Sequence, residues 1–283
     1  MRLTRALRSV LGAVVVSLAA LVVGRAIRDW NTERETAKLR RTADTGRSDL
    51  FTMEDLNEVP QPVREYFATV LRDGQQYVNT VRLEQEGELR AGDADSEWKP
   101  FTATQYITTE PPGFRWDAAV RFWPQIDLRI VDRYRDGSGH ASVTLFGLLP
   151  LGGDEANPEL DEGELLRYLA EAVWYPTALL PSEGVEWEAI DDDTAAATLE
   201  YGGVTATLTF HFTEDGEVAK VHAEQRPRRV GDGYEPTPWT GRWYDYETRD
   251  GMRIPTAGEV VWHLPDGEME AWRGRLTDIS YQP

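Results

Sequence analysis

Cysteine is absent from the 283 residues. That excludes disulfides, thiol nucleophiles and zinc–thiolate sites, and it makes no statement about the redox compartment. Lysine is nearly absent as well: only Lys38, Lys99 and Lys220 occur among 30 basic residues, leaving 27 arginines. Positive charge as a whole is scarce, with 49 acidic side chains against those 30 and a net charge of −19. No basic stripe exists outside the N-terminal tail, which excludes the electrostatic footprint of a nucleic-acid binder. Histidine occurs four times, as His140, His211, His222 and His263. No third ligand stands at useful spacing from any pair of them, so no metal site is legible. Long apolar runs are missing too, apart from one near the N-terminus.

What is present is acid, arginine and tryptophan. Ten Trp and 41% apolar residues are enough for a real core despite the charge. Residues 1–48 carry ten basic and four acidic side chains, a net of +6, so the remainder carries −19 − 6 = −25. A large acidic excess with arginine in place of lysine fits a halophilic surface, kept soluble at high salt by hydrated carboxylates. The competing reading is an acidic protein that binds cations or basic partners.

The one long apolar run is residues 9–24, SVLGAVVVSLAALVVG, between Arg8 and Arg25. It is extended by Ala26 and Ile27 if Arg25 snorkels. A span normally needs about 17–25 residues. Arg2, Arg5 and Arg8 followed by an apolar stretch also resemble a signal peptide, but no convincing small-residue cleavage site follows. We read residues 1–28 as an uncleaved single-pass membrane anchor, 29–50 as a juxtamembrane linker and 51–283 as one β-rich domain. The basic residues just after the run favour a cytoplasmic domain. The signal-like start and the acidic domain favour an extracytoplasmic one, which we adopt.

Beyond the linker, a short helix at 62–71 buries Val63, Phe67, Val70 and Leu71. From Tyr77 onward the apolar period is two. Strands are expected at 78–90, 98–109, 113–122, 127–135 and 140–148. After a helical interval they resume at 185–190, 195–201, 204–213, 217–226, 240–248, 253–262 and 268–281. The Asp215-Gly216 pair marks a two-residue hairpin with Glu214 facing Glu217. That register sets Ala206, Leu208, Phe210 and Phe212 on one face, opposite Ala219, Val221 and Ala223. One helix cannot supply the crossovers that a parallel sheet needs, so the sheet must be antiparallel.

The helical interval is 162–181, EGELLRYLAEAVWYPTALLP. Asp161 stands where an N-cap belongs, with Glu164 three residues on in a capping-box arrangement. Leu165, Leu166, Leu169, Ala172 and Val173 share one arc and require a core. The other arc carries Glu164, Arg167, Tyr168, Glu171, Trp174 and Tyr175, which is too aromatic for plain solvent. Pro176 ends the regular helix. The expected fold is therefore mainly β: a large curved antiparallel sheet or incomplete barrel with this helix across its concave face. Arg167 is expected between Glu164 and Glu171. The candidate ligand-facing residues are Trp116, Arg167, Tyr168, Glu171, Trp174 and Tyr175. No catalytic residue is assigned, because no nucleophile elbow surrounds Ser138 or Ser182. Asp191-Asp192-Asp193 lacks the glycine and distal glutamate of a calcium loop. No cofactor motif is present, and nothing in the pattern specifies an oligomer.

Several blocks together resemble an uncharacterised bacterial and archaeal family known only as a domain of unknown function, here with a haloarchaeal type of surface. They are Val59-Pro60 with Val63-Arg64-Glu65-Tyr66, then Trp98-Lys99-Pro100-Phe101, then Pro111-Pro112-Gly113-Phe114-Arg115-Trp116. The most specific block runs from Gly163 through Glu171 into Trp174-Tyr175-Pro176-Thr177-Ala178-Leu179-Leu180-Pro181, and Trp239, Gly241 and Ile254-Pro255 follow. The likeness covers about residues 50–281 and implies a membrane segment at the N-terminus but no activity. By shape, a curved antiparallel sheet with a mid-chain helix is similar to the lipoprotein carriers that hold acyl chains in a half-barrel. Three functions stay open: a membrane-tethered module binding a lipid or other apolar ligand, a hydrolase using Glu164 or Glu171 with Arg167, and a structural cell-envelope protein.

Overall fold

The structure, a computed structural model, describes residues 50–283 apart from Ala91, Asp93, Pro124 and Gln125, together with Arg34 and Ala37. The apolar run at 9–24 and nearly all of the linker lie outside the described residues. Among the described residues no helix is long and apolar enough to cross a membrane.

Period-two patterning from residue 80 onward makes one antiparallel sheet. Its first half is β3 (Thr80–Leu89), β4 (Lys99–Thr108), β5 (Gly113–Trp123), β6 (Ile126–Arg135), β7 (Ser138–Leu145) and β8 (Leu149–Asp154). The second half is β9 (Val185–Ala189), β10 (Thr194–Tyr201), β11 (Val204–Phe212), β12 (Val218–Val230), β13 (Gly233–Arg249), β14 (Met252–Leu264) and β15 (Gly267–Gln282). A separate ribbon pairs β1 (Leu50–Phe51) with β2 (Gln75–Gln76). The described residues thus give a 13-stranded sheet in the order 8-7-6-5-4-3-15-14-13-12-11-10-9. Two meanders are joined where β3 pairs β15, and this places the first and last long strands at the centre.

The sheet is open at β8 and β9 yet strongly curled. The β6–β7 turn meets the β10–β11 turn so closely that a Cβ on Gly202 would lie 2.4 Å from the Cα of Gly137. Tyr134 packs edge-on against Tyr201 at 6.2 Å. Tyr234 of β13 donates to Asp154 of β8 at 3.0 Å, and Arg229 pairs with the same carboxylate. Outward-facing charges pair across strands, as Arg273 does with Glu88 and Arg242 with Glu259. Such exposed pairs contribute about 0–1 kcal/mol each.

Two helices fill the concave side. The first, α1 (Gln61–Val70), turns Val63, Tyr66, Phe67 and Val70 inward. Phe67 meets Trp187 edge-on at 6.3 Å and Tyr66 meets Phe212 at 5.6 Å, closing one end of the core. The second, α2 (Pro158–Glu171), lies against β11 and β12 on one wall and β6 and β7 on the other. Leu165, Leu169 and Ala172 are fully buried. So are Tyr168 and, just beyond the helix end, Tyr175, so both arcs of the C-terminal half are covered while Pro158 and Glu159 at its start stay exposed. Single 3₁₀ turns at Ala172–Trp174, Pro176–Leu179 and Pro181–Glu183 then lead to β9, each proline opening a new turn.

Four local expectations need correction. The cap of α2 is Asn157, whose side chain accepts from the Leu160 N–H at 2.9 Å, so the helix starts earlier than Glu162. Asp161 instead accepts from the Gly139 N–H at 2.6 Å and ties the helix to β7. The hairpin at Asp215 pairs Phe210 with Val221 as expected, but a bulge between His211 and Phe212 brings Val218, not Ala219, opposite Phe212. Gly216 there has φ +75°, and a Cβ would strike Thr69 of α1 at 2.6 Å. Finally, β8 forms although Gly152 and Gly153 weaken its pattern, and β12 and β13 extend through Pro227 and Pro236, which face each other.

Candidate functional site

The curl of the sheet leaves a cavity of about 270 Å³ between α2 and the central strands. Its apolar lining is dominated by six tryptophans: Trp116 of β5, Trp174 after α2, Trp239 and Trp243 of β13, Trp262 of β14 and Trp272 of β15. Leu89, Ile130, Ala170 and Val260 complete the apolar wall. An engineered apolar cavity of about 150 Å³ accommodates benzene, so this volume takes a small ligand or one segment of a larger one.

Glycines make the indole lining geometrically feasible. Trp243 lies flat over Gly258, where a Cβ would meet its Cε3 at 2.7 Å, and Trp272 lies over Gly274, with Cζ2 at 2.7 Å. Gly241 is tighter than ordinary contact for Trp239, at 3.2 Å. Two of these glycines lie in one row across the ladder: Gly87 pairs with Gly274, Gly274 with Gly258, and Gly258 with Trp243, whereas Gly241 faces Val221 and Val260. Removing Cβ atoms along one row lowers the sheet floor and lets large rings lie down on it. Trp174 meets Trp243 edge-on at 5.0 Å from the helix side.

One wall is polar. Arg167 donates from Nη1 to Asp132 Oδ2 at 2.7 Å and from Nε to Glu171 Oε1 at 2.8 Å. The other Glu171 oxygen accepts from Gln105 Nε2 at 2.6 Å. The guanidinium also stacks on Phe114 and Trp116, each at 5.0 Å. Trp116 in turn donates to Gln85 Oε1 at 2.8 Å. Burial alone would lower the Arg167 pKa, but Glu171, Asp132 and Glu164 outweigh it and hold the group above its ordinary value. Burial raises Asp132 from its usual range, and Arg167 opposes the shift.

A second arginine faces the same space. Arg226 of β12 stacks on Trp239 at 4.6 Å and on Trp262 at 5.6 Å, and donates to the Gly163 carbonyl at 3.1 Å. Burial pushes it down to about 10, so it stays protonated at neutral pH. Glu164 is 7% exposed and its Oε2 has no partner. Burial first, and the nearby Asp132 charge second, push its carboxyl up to about 8.

Four of the six expected site residues, Trp116, Arg167, Glu171 and Trp174, come together on the cavity wall. Tyr168 and Tyr175 do not. Their rings meet at a tilt, 5.7 Å apart inside the core, with the Tyr175 hydroxyl donating to the Tyr168 carbonyl at 3.0 Å. The helical wheel grouped them with Trp174, but the chain leaves the helix at Ala172 and turns Tyr175 away. The expected partner Glu164 does not bond Arg167; Asp132, 35 residues away, does. Sequence reasoning missed Arg226, Asp132 and the four C-terminal tryptophans. The spacing Trp239-Thr240-Gly241-Arg242-Trp243, repeated in part as Trp272-Arg273-Gly274, was the available signal. Alternate Trp and Gly on one strand face predict rings laid over the bare backbone. His211 and His222 lie on one face as diagonal neighbours, since His211 pairs with Lys220 and Thr209 with His222, and His222 shares the Thr240 hydroxyl with His263, at 3.0 and 2.8 Å. Among the described residues no acidic or histidine cluster is placed to hold a metal ion.

Among solved structures, the chain is similar to a LolA superfamily protein from Nitrosomonas europaea, at 14% identity and a TM-score of 0.32. The match covers 78% of this chain and 94% of that one. It is also similar to a β-barrel-like protein of a domain of unknown function, DUF1849, from Brucella abortus. Identity there is 12% and the TM-score 0.26, with coverage of 73% and 99%. No curated protein matches. A family model matches residues 57–281, and the chain belongs to that family, a family of unknown function designated DUF6920.

Proposed function

We propose that this protein is a membrane-tethered binding module that holds an apolar ligand in the tryptophan-lined cavity beneath α2. The observation that carries the reading is the cavity itself. Six indoles around about 270 Å³ is a large aromatic investment, and the glycine row under the rings preserves space that ordinary side chains would have filled. A core built only for stability packs to a density that leaves few voids larger than a water molecule. The residues 9–24 would supply the tether, with the β-rich region on the extracytoplasmic side. A hydrolytic role for Glu171 finds no support in this arrangement, since both its oxygens are already engaged by Arg167 and Gln105.

The test is displacement of an apolar fluorophore, N-phenyl-1-naphthylamine, from the full chain held in amphipol, with amphipol alone as the blank. The wild type should enhance the dye saturably. Ala170→Leu, which puts three more carbon-sized atoms into the cavity, should weaken binding by roughly tenfold or more, equivalent to about 1.4 kcal/mol. Saturable binding that is unchanged by Ala170→Leu would place the dye elsewhere and sink the reading.

A further inference from the structure

The acidic surface has an apolar interruption. Among the described residues eleven large apolar side chains are exposed, and six of them stand on two neighbouring hairpins. Phe122 and Trp123 end β5, and Phe146, Leu148, Leu149 and Leu151 run from the β7–β8 turn into β8. Strand β6 begins where β7 ends, with Leu128 facing Leu145, so both turns leave the sheet at one rim. Trp123, Leu149 and Leu151 are 63%, 59% and 58% exposed, open to solvent rather than tucked against a neighbour.

The rim also differs in composition. Residues 141–153, ASVTLFGLLPLGG, hold no charged side chain in a protein that is 28% charged. The charges beside the other hairpin are paired, Arg121 with Asp127 and Lys99 with Glu97. Phe146 sits at φ +55°, a left-handed turn position suited to glycine, so the turn itself does not require a large ring. Large exposed apolar patches mark contact with another surface. Uncharged tips bearing Trp, Phe and Leu match the interfacial layer of a bilayer, where aromatic rings settle at headgroup level. A rim without unpaired carboxylates is the part of this domain that approaches an anionic leaflet without repulsion.

This rim is continuous with the cavity. Ile130 lines the cavity, and Leu128 is the next position of β6 on the same face. Leu128 pairs with Leu145, and Leu145 with Leu149, so one apolar row crosses from the cavity wall to the exposed rim. The chain enters the sheet at the other end: Leu50 pairs with Gln76, ahead of Thr80, and Thr80 faces Thr108 beside the β4–β5 turn. Strand β5, at a rise of about 3.3 Å per residue, separates the two ends by roughly 35 Å. Residues 25–49, between the apolar run and Leu50, span up to about 80–90 Å when extended, so their length lets either end meet a membrane.

Resting on the tether proposed above, we propose that the rim formed by the β5–β6 and β7–β8 hairpins docks in the lipid bilayer. Trp123, Phe146 and Leu148 seat in the interface, and the tryptophan-lined cavity opens onto lipid along the Leu128–Leu145–Leu149 row. An apolar ligand then passes between bilayer and cavity without crossing water.

The absence of cysteine makes the test clean. The full chain is reconstituted in phosphatidylcholine vesicles with an NBD fluorophore on one introduced thiol. Trp123→Cys and Leu148→Cys label the two hairpins, so that one poorly folded variant does not decide the matter, and Glu110→Cys labels the β4–β5 turn at the other end. Lipid carrying an acyl-chain nitroxide should quench both rim labels about twofold or more and leave the Glu110→Cys label within about a tenth of its unquenched signal. Quenching at Glu110→Cys and not at the rim would put the other end on the membrane and overturn the inference. Rim labels that lipid does not quench but aqueous iodide does would overturn it while the tether stands. Rim labels shielded from both quenchers, with the shielding lost as protein is diluted in the vesicle, would make the rim an interface between copies and overturn it too. A chain that floats free of the vesicles removes the tether, and the inference with it.

Discussion

Replacing Arg167 with methionine should be among the most damaging single changes in the chain. The side chain bridges Asp132 at 2.7 Å and Glu171 at 2.8 Å, and the three groups are only 17%, 19% and 12% exposed. Methionine preserves the stem and its packing on Phe114 and Trp116 but leaves two carboxylates facing each other, with Gln105 still donating to Glu171. Breaking a buried pair in this way costs about 3–5 kcal/mol, because the abandoned charge, more than the lost attraction, sets the loss. For a folded region of this size each kcal/mol moves Tm by about 2–4 °C, so the expected drop is roughly 6–20 °C. The assay is circular-dichroism melting at pH 7, run beside Arg167→Met combined with Asp132→Asn and Glu171→Gln. Neutralising the stranded acids should recover at least about half of the loss. Without Arg167 the folded-state pKa of Asp132 moves further above its unfolded value, so the deficit of the single variant should also shrink as pH falls. A single variant that melts within about 2 °C of wild type, or a triple variant no better than the single one, would refute the view that this triad is buried and mutually neutralised.

Glu164 has a folded pKa of about 8 against an ordinary 4.5, so the unfolded state ionises first and stability falls as pH rises between those values; Glu164→Gln should be more stable than wild type near pH 8 and lose that advantage near pH 4, as urea unfolding across the range would reveal. Gly258→Ala sets a Cβ at 2.7 Å from the Trp243 ring, roughly 1 Å inside contact, and should cost about 1–3 kcal/mol while changing the near-ultraviolet circular dichroism of the displaced indole. With −25 on residues 49–283, self-repulsion should be relieved by salt as the Debye length falls to about 3 Å at 1 M; a Tm that is flat between 0.1 and 3 M KCl would remove the halophilic interpretation.

The sheet was legible in the chain because its signals are local. Alternation from Tyr77 onward, the Asp-Gly and Gly-rich turns and the scarcity of helix were enough to give an antiparallel architecture with one enclosed helix. The strand β8 escaped because Leu149-Pro150-Leu151-Gly152-Gly153 has no β-branched residue and ends in two glycines; it exists as an edge that β7 templates. Part of the cavity wall was legible for the same reason: Arg167, Glu171 and Trp174 sit on one helical segment whose aromatic face demanded cover. The rest depends on which strands the curl brings over that helix. Asp132 reaches Arg167 from β6, and Arg226 and Trp239 reach the cavity from β12 and β13, pairings that no spacing along the chain encodes. Tyr168 and Tyr175 show the converse error, since aromatic side chains on a helical wheel are as easily core as lining.

If the protein is a binding module, its cavity is occupied in the cell. Native mass spectrometry of the full chain, purified from its own cells without added lipid, measures that directly. The result expected is a noncovalent adduct of an apolar ligand, released on unfolding and reduced in Ala170→Leu. A chain that carries only its own mass, in wild type and Ala170→Leu alike, would contradict it.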